Sequence, residues 1–262
     1  MQKPADRTEQ RGIQSIEVGG SLLRALAHHG RPLALKDLAL EAGMAPAKAH
    51  PYLVSFCKLG LIEQDAASGR YGLGPLAMQL GLISLQQLDP LALATPLIEQ
   101  LAADCGHTVA VAVWGNRGAT IVRVAQPPTP VHVSMRHGTV MTLRGTASGR
   151  LFAALLPRAQ VLPVLREENR SLGRKGRPFD DELNAALEQI RGEGLSRVKD
   201  LLLPGISALA APVFDGTGAL VLGLTTIGPS AVFDSRPAGA LAHAVGDAAR
   251  GLSLRLGWRA AG

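Results

Sequence analysis

A chain of 262 residues, 47% hydrophobic and 18% charged, is long enough for one large or two medium domains with buried cores, and its composition excludes a disordered protein. Two cysteines, Cys57 and Cys105, exclude a disulfide framework or a cysteine-built zinc site, and no apolar run approaches the ~18 residues of a membrane span or a secretory core. A reducing cytoplasm, with no membrane partner, is the expected setting. The net charge of +6 is spread along the chain, and the first 72 residues carry nine basic against seven acidic side chains. Bulk charge is compatible with phosphate contact without diagnosing it, so pattern must decide.

A polar tail, 1–13, precedes a stretch in which Ile16, Gly20, Leu23, Leu26 and Ala27 recur at helical spacing until HHGRP stops them. LKDLALEAG reads as a short second helix ending at Gly43, with Leu35, Leu38 and Ala39 inward, and a third helix follows at once. GLIEQDAASGRYGLG then reads as two short strands about an AASG turn. Compact helices, the last two joined by a tight glycine turn, and then a hairpin, describe a winged helix-turn-helix over 14–74.

On the third helix, Ala49, Tyr52, Leu53, Phe56 and Leu59 form an inward stripe. Ala47, Lys48, His50, Pro51, Val54, Ser55 and Lys58 lie opposite, and no acid occurs between Pro46 and Gly60. Such a face suits a phosphate-lined groove, where a carboxylate would be repelled. An ordinary helical hairpin with a sparse outer face is the competing account; the wing, with Arg70 and Tyr71 at its tip, favours double-stranded DNA.

Residues 75–89 read as a linker helix with Leu76, Leu80 and Ile83 on one face and Leu85 and Leu88 near it, in want of a partner chain; Asp89-Pro90 breaks it and a further helix runs to Cys105. From His107 the pattern is strands: TVAVAVW, ATIVRVA, then VHVSM after a PPTP break. Helices are expected at about 146–156 and 180–192, and strands return at LSRVK, SALAAPVF and ALVLGLTTI, the last two joined by a DGTG turn. A helix over Arg236–Leu256 closes an α+β domain, 90–262, built on an antiparallel sheet.

These segments together resemble the IclR-type bacterial transcriptional regulators. The resemblance runs through LLRALAHHGRPLALKDLALEAGMAPAKAHPYLVSFCKLGLIEQD and GRYGLGP, then GHTVAVAVWGNRGATIVRV, TASGRLFAALLP and PGISALAAPVFDGTGALVLGLTTIGP. It implies an N-terminal winged helix-turn-helix on promoter DNA, a dimerising linker helix, and a C-terminal GAF-like domain that binds a small effector. It further implies a homodimer or tetramer, repressor or activator, and control of aromatic-acid or small-carboxylate catabolism. No cofactor is implied. The effector pocket would lie between the helix opened by GTASGR and the sheet around Ala208 and Thr225.

Two departures from the family pattern stand out. Where relatives commonly carry a polar or basic residue, this chain has Pro51, which lacks an N–H and pushes His50 from helical geometry. Either the regular helix starts at His50, with Pro51 at its first position, or a continuous helix bends on its exposed face. The expectation carried forward is the helix start, under which Pro51→Ala changes stability by no more than about 1 kcal/mol. Relatives also often carry acids after the family's GL, where SRVKD places Arg197 and Lys199. Either these are exposed strand residues or they turn inward toward an anion, and Arg136 on VHVSMRHG carries the same two readings.

Thr146, Ala147 and Ser148 would set backbone N–H groups and hydroxyls at a positive helix end, favouring a small organic acid; a simple N-cap explains the same residues. Enzyme signatures are missing: Ser148 is followed directly by Gly149 rather than lying in G-x-S-x-G, and no phosphate loop, dinucleotide fingerprint or H-E-x-x-H occurs. The seven histidines show no metal spacing. A sensory adaptor that binds ligand without DNA is the alternative to a regulator, and Pro51 is its main support.

Overall fold

The computed structural model describes residues 12–129 and 132–259 and divides the chain into two compact units, 1–88 and 89–262. Most of the expected tail, Pro130 of the PPTP break, Val131 and the side chain of Leu85 lie outside the described residues.

The first unit contains α1 (Gln14–His29), α2 (Leu35–Glu41), α3 (Pro46–Leu59), β1 (Ile62–Gln64), β2 (Tyr71–Leu73) and α4 (Pro75–Gln87). Glycines in left-handed conformation end α1 at Gly30 and α3 at Gly60, where a side chain would be strained. Leu22, Leu26, Leu38, Ala49, Leu53 and Ile62 make a closed apolar core. In α1 the buried positions are Gly19, Leu22, Ala25 and Leu26, so the stripe is rotated from the one expected through Ile16 and Gly20; Ile16 is 68% exposed. Gly19 explains the rotation. A Cβ there would stand 3.0 Å from both Tyr52 and Phe56, so α1 meets α3 at its glycine. Leu59, expected inward, is 60% exposed at the end of α3.

The wing pairs β1 with β2 antiparallel, Glu63 opposite Gly72, and Leu33 adds a bridge to Tyr71. Asp65 holds the turn by accepting from Ala67 N at 3.0 Å and Ser68 Oγ at 2.6 Å, bonds that keep its carboxyl below the usual carboxylate range, the Ser68 bond foremost.

The second unit contains α5 (Pro90–Cys105), β3 (Thr108–Gly115), β4 (Gly118–Ala125), α6 (Ala147–Leu155), α7 (Arg158–Ser171), α8 (Asp181–Glu193), β5 (Ser196–Lys199), β6 (Ile206–Phe214), β7 (Leu220–Pro229) and α9 (Ala240–Arg255). Among the described residues the strands form an antiparallel sheet in the order β4-β3-β7-β6-β5. α5 and α9 pack against strands β3 and β6, while α6 lies on β5, β6 and β7 with α8 against it. The core on the α6 side joins Leu143, Leu151, Leu165, Leu187, Val198 and Ala210.

Three expectations need correction. Residues 132–135 form no strand; the β4 edge is instead bordered by Gly138–Met141, with Gly138 N donating to Ile121 O at 2.7 Å and Met141 N to Ala119 O at 2.7 Å. Helix α7 was not anticipated; Pro157 is the residue before it and Pro163 lies within it. The closing helix begins at Ala240 rather than Arg236, whose guanidinium is held by Asp234 in the preceding turn. Among the described residues no helix is long and apolar enough to cross a membrane.

Candidate DNA-reading helix and effector cavity

Helix α3 starts at Pro46, after Ala45 in extended conformation, and continues without interruption through Pro51 to Leu59. The expected start at His50 is therefore overturned. Ala49 N donates to Ala45 O at 3.0 Å, so His50 already lies in a helical turn. Pro46 occupies the first turn, where its missing N–H is harmless, whereas Pro51 leaves the Ala47 carbonyl without its helical donor. Burial of Ala49 and Leu53 against the core fixes the helix despite that loss. Ala47, Lys48, His50, Pro51, Ser55 and Lys58 are exposed together, with Val54 (39%) among them. The Ser55 hydroxyl donates back to Pro51 O at 3.0 Å.

The wing contributes less than its sequence promised. Tyr71 is 6% exposed and packs into the first unit's core, because it points to the face that Leu33 covers; it is not a tip residue. Arg70 is exposed beside it, with Nη1 donating to Pro32 O at 3.4 Å.

In the second unit a cavity of about 400 Å³ lies between the N-terminal end of α6, the sheet, and two irregular segments around 133–145 and 202–206. Thr146, Ala147, Ser148, Arg136, Ala208 and Thr225 all line it. Lys199 does not. Val198 pairs with Ala208 and faces the cavity, so the next residue projects from the other face of the strand, where Lys199 is exposed. The inward reading of Lys199 is thus corrected, and Arg197 shares its exposure.

The start of α6 is built with little slack. Thr146 caps the helix: its hydroxyl accepts from Gly149 N at 3.0 Å and donates to Thr142 O at 2.7 Å. Gly149 is required by closeness, since a Cβ there would stand 2.0 Å from Thr142 O. The hydroxyl of Ser148 meets that of Thr225 at 2.8 Å, both residues buried. The amide N–H groups of Ala147 and Ser148 have no acceptor among the described residues, as expected for a first helical turn.

A second layer braces this end. Glu168 accepts from Leu143 N at 2.6 Å and Arg144 N at 3.2 Å. Arg144, 9% exposed, is held by Asn169 Oδ1 at 3.0 Å, Pro178 O at 2.5 Å and Asp180 Oδ2 at 2.8 Å. Asp180 also caps α8 through Leu183 N; that bond first, and Arg144 beside it, keep its carboxyl below the usual range. Burial lowers the Arg150 guanidinium, whose Nε donates to Arg144 O at 2.6 Å.

Among the described lining residues Arg136 alone carries a charge, and its guanidinium makes no ion pair among the described residues. The remaining wall is mostly apolar: Met135, Val140, Met141, Leu202, Ile206 and Ile227. Sequence reading missed this wall. Its one available signal was the run Leu201-Leu202-Leu203 beside Pro204-Gly205, apolar residues in a turn that no strand or helix claims. Asp200, at φ 54°, shapes that turn by accepting from Gly205 N at 2.8 Å and Ser230 Oγ at 2.6 Å. Among the described residues no group of three or more His, Cys, Asp or Glu could hold a metal.

Residues 15–66 match the IclR helix-turn-helix domain, and residues 83–254 match the family described as bacterial transcriptional regulator IclR C-terminal. The chain belongs to the IclR family. It is 32% identical over 253 residues to the glycerol operon regulatory protein of Streptomyces griseus, covering 94% of this chain and 98% of the relative. Identity to the HTH-type transcriptional regulator BhcR of Paracoccus denitrificans is 27% over 247 residues, covering 93% of this chain and 87% of that one. The crystal structure of Pseudomonas aeruginosa HmgR is similar at a TM-score of 0.88 and 36% identity, covering 95% of this chain and all (100%) of that chain. As an IclR-family member the chain is a DNA-binding transcriptional regulator and not an enzyme, with a helix-turn-helix domain followed by an effector-binding domain on an antiparallel sheet.

Proposed function

We propose that this IclR-family regulator responds to a small organic monocarboxylate with an apolar body, of the kind met in aromatic-acid or short-chain carboxylate catabolism, and that this ligand sets its affinity for promoter DNA. The observation that carries the reading is the charge pattern of the cavity: one unpaired guanidinium, Arg136, two free amides at Ala147 and Ser148, and no acid among the described lining residues. A carboxylate between the guanidinium and the helix end would meet charge-assisted donors on both sides. The apolar wall would hold the rest, with the Ser148 and Thr225 hydroxyls able to turn toward a polar substituent. A dicarboxylate would lack a second cation, and an amino acid would lack an acid for its ammonium. The glycerol-operon relatives make glycerol the natural neutral comparator, although so apolar a wall fits a polyol poorly.

Lys48, His50, Lys58 and Arg70 would contact DNA beside Ala47, Pro51 and Ser55. Helix α4, with Met78, Leu80, Leu82 and Ile83 all at least 42% exposed, would join two copies as a homodimer or as half of a tetramer, so that paired α3 helices read a pseudo-palindrome. The test is a calorimetric titration of the full chain with benzoate-like monocarboxylates, dicarboxylates, amino acids and glycerol, followed by gel shift on DNA flanking its own gene. Binding confined to monocarboxylates, with a change in the shifted fraction, is expected. Preferential binding of glycerol or a dicarboxylate would refute the effector class.

A further inference from the structure

The exposed face of α3 is unusual for a base-reading helix in what it lacks. Ala47, Pro51 and Val54 follow one another at helical spacing along its centre, and none has a side-chain donor or acceptor. Pro51 has no backbone N–H, and the Ser55 hydroxyl proton is directed to Pro51 O at 3.0 Å. Polar ends are left to Lys48, His50 and Lys58 around this stripe. We infer that the stripe Ala47–Pro51–Val54 reads thymine 5-methyl groups in the major groove, so that each half-site carries thymines under it. The inference rests on the reading of this face as the DNA contact.

The physical case has two parts. Of the four bases only thymine offers the major groove an apolar group, its C5-methyl, which small apolar side chains contact directly. A G·C pair under the same stripe would lose water from N7, O6 and N4 and gain no partner, an unfavourable exchange for buried polar groups. Ala47 to Val54 spans about 10 Å at 1.5 Å per residue, or about three base steps. Lys48 and Lys58 would bind the phosphates on either side, setting affinity without sequence information.

The experiment selects operators from a random duplex pool with the full-length chain, then replaces thymine by uracil at each half-site position, which removes the methyl and leaves pairing intact. Each thymine under the stripe should lose about three- to fourfold in affinity on becoming uracil, the worth of one buried methyl-sized group. Changing such a T·A pair to C·G should lose more, and 5-methylcytosine, which restores the methyl, should recover part. Pro51→Arg, at an exposed site, should erase the uracil effect at its own position and favour guanine there. If uracil and thymine operators bind alike while Lys48→Ala still flattens the salt dependence, the methyl reading is overturned and the α3 assignment survives. If Lys48→Ala also leaves affinity and salt dependence unchanged, the face itself is misassigned and the inference fails with it.

Discussion

Ser148, the second residue of α6, and Thr225, in the middle of β7, face each other hydroxyl to hydroxyl at 2.8 Å in the wall of the cavity proposed to hold the effector. Neither group reaches bulk water, so each depends on the other. Ser148→Ala should therefore leave the Thr225 hydroxyl buried and unsatisfied, destabilising the second unit by about 1–3 kcal/mol. Adding Thr225→Val removes the orphaned group and should recover most of that loss. Scanning calorimetry of both single variants and the double variant, following the second unit's transition, checks the pair; single losses that simply add in the double variant would show that the hydroxyls act independently.

Arg136 supplies the charge arm of the proposed site. It is exposed and lacks an ion pair among the described residues, so Arg136→Gln should leave thermal stability unchanged while weakening monocarboxylate binding about ten- to hundredfold, as expected for one charged hydrogen bond. DNA affinity without effector should also be unchanged. Titration with unaltered affinity would move the carboxylate away from this wall.

How far the sequence foretold these positions depended on whether a period or a phase was needed. Helical spacing marked α3, and alternation with turn residues marked β6 and β7, because periods of 3.6 and 2 follow from backbone geometry. Phase is harder. The side of Lys199 stayed open and Tyr71 was placed outward at the wing tip, and in a strand a one-residue error exchanges the faces. What fixes the phase is the partner: Ala208 across from Val198, Leu33 across from Tyr71. The cavity's irregular walls, 133–145 and 202–206, have no period at all, which is why Met141 and Leu202 went unmarked, whereas Thr146–Ser148, which also line the cavity, are tied to a helix start that sequence can mark.

The brace behind the cavity predicts a pH response. Asp180 titrates below its ordinary value in the folded chain, so its contribution is complete above the unfolded pKa of about 4 and fades as pH falls through the lower folded value. Asp180→Ala removes the cap of α8, about 1 kcal/mol, and also strips the charge partner from nearly buried Arg144. Asp180→Asn keeps a capping oxygen and should lose less. Melting curves between about pH 3 and 7 should show the wild-type second unit losing stability toward acid more steeply than the Asn variant. Parallel curves would mean that neither the cap bond nor the ion pair makes Asp180's titration count for stability.

Pro51 sits six residues into an unbroken helix, at a position where the missing N–H and the ring's approach to the Ala47 carbonyl both count. That geometry replaces the near-neutral expectation for a helix-start proline with a definite gain. Pro51→Ala should stabilise the first unit by about 2–3 kcal/mol, since proline in a helix interior is about 3 kcal/mol worse than alanine and local bending recovers some of it. Because Ala49 and Leu53 pack inward on neighbouring positions, the substitution should leave the core undisturbed. The same variant should bind its operator less tightly, because alanine covers less of a thymine methyl than the pyrrolidine ring does. Opposite signs for stability and affinity are thus the expected signature of a residue kept for contact at the expense of its own helix. Urea unfolding and operator titration on one preparation decide it: a stability change within about 1 kcal/mol would mean that α3 opens around Ala47–Pro51, and a variant both more stable and tighter on DNA would leave the proline without a role in reading.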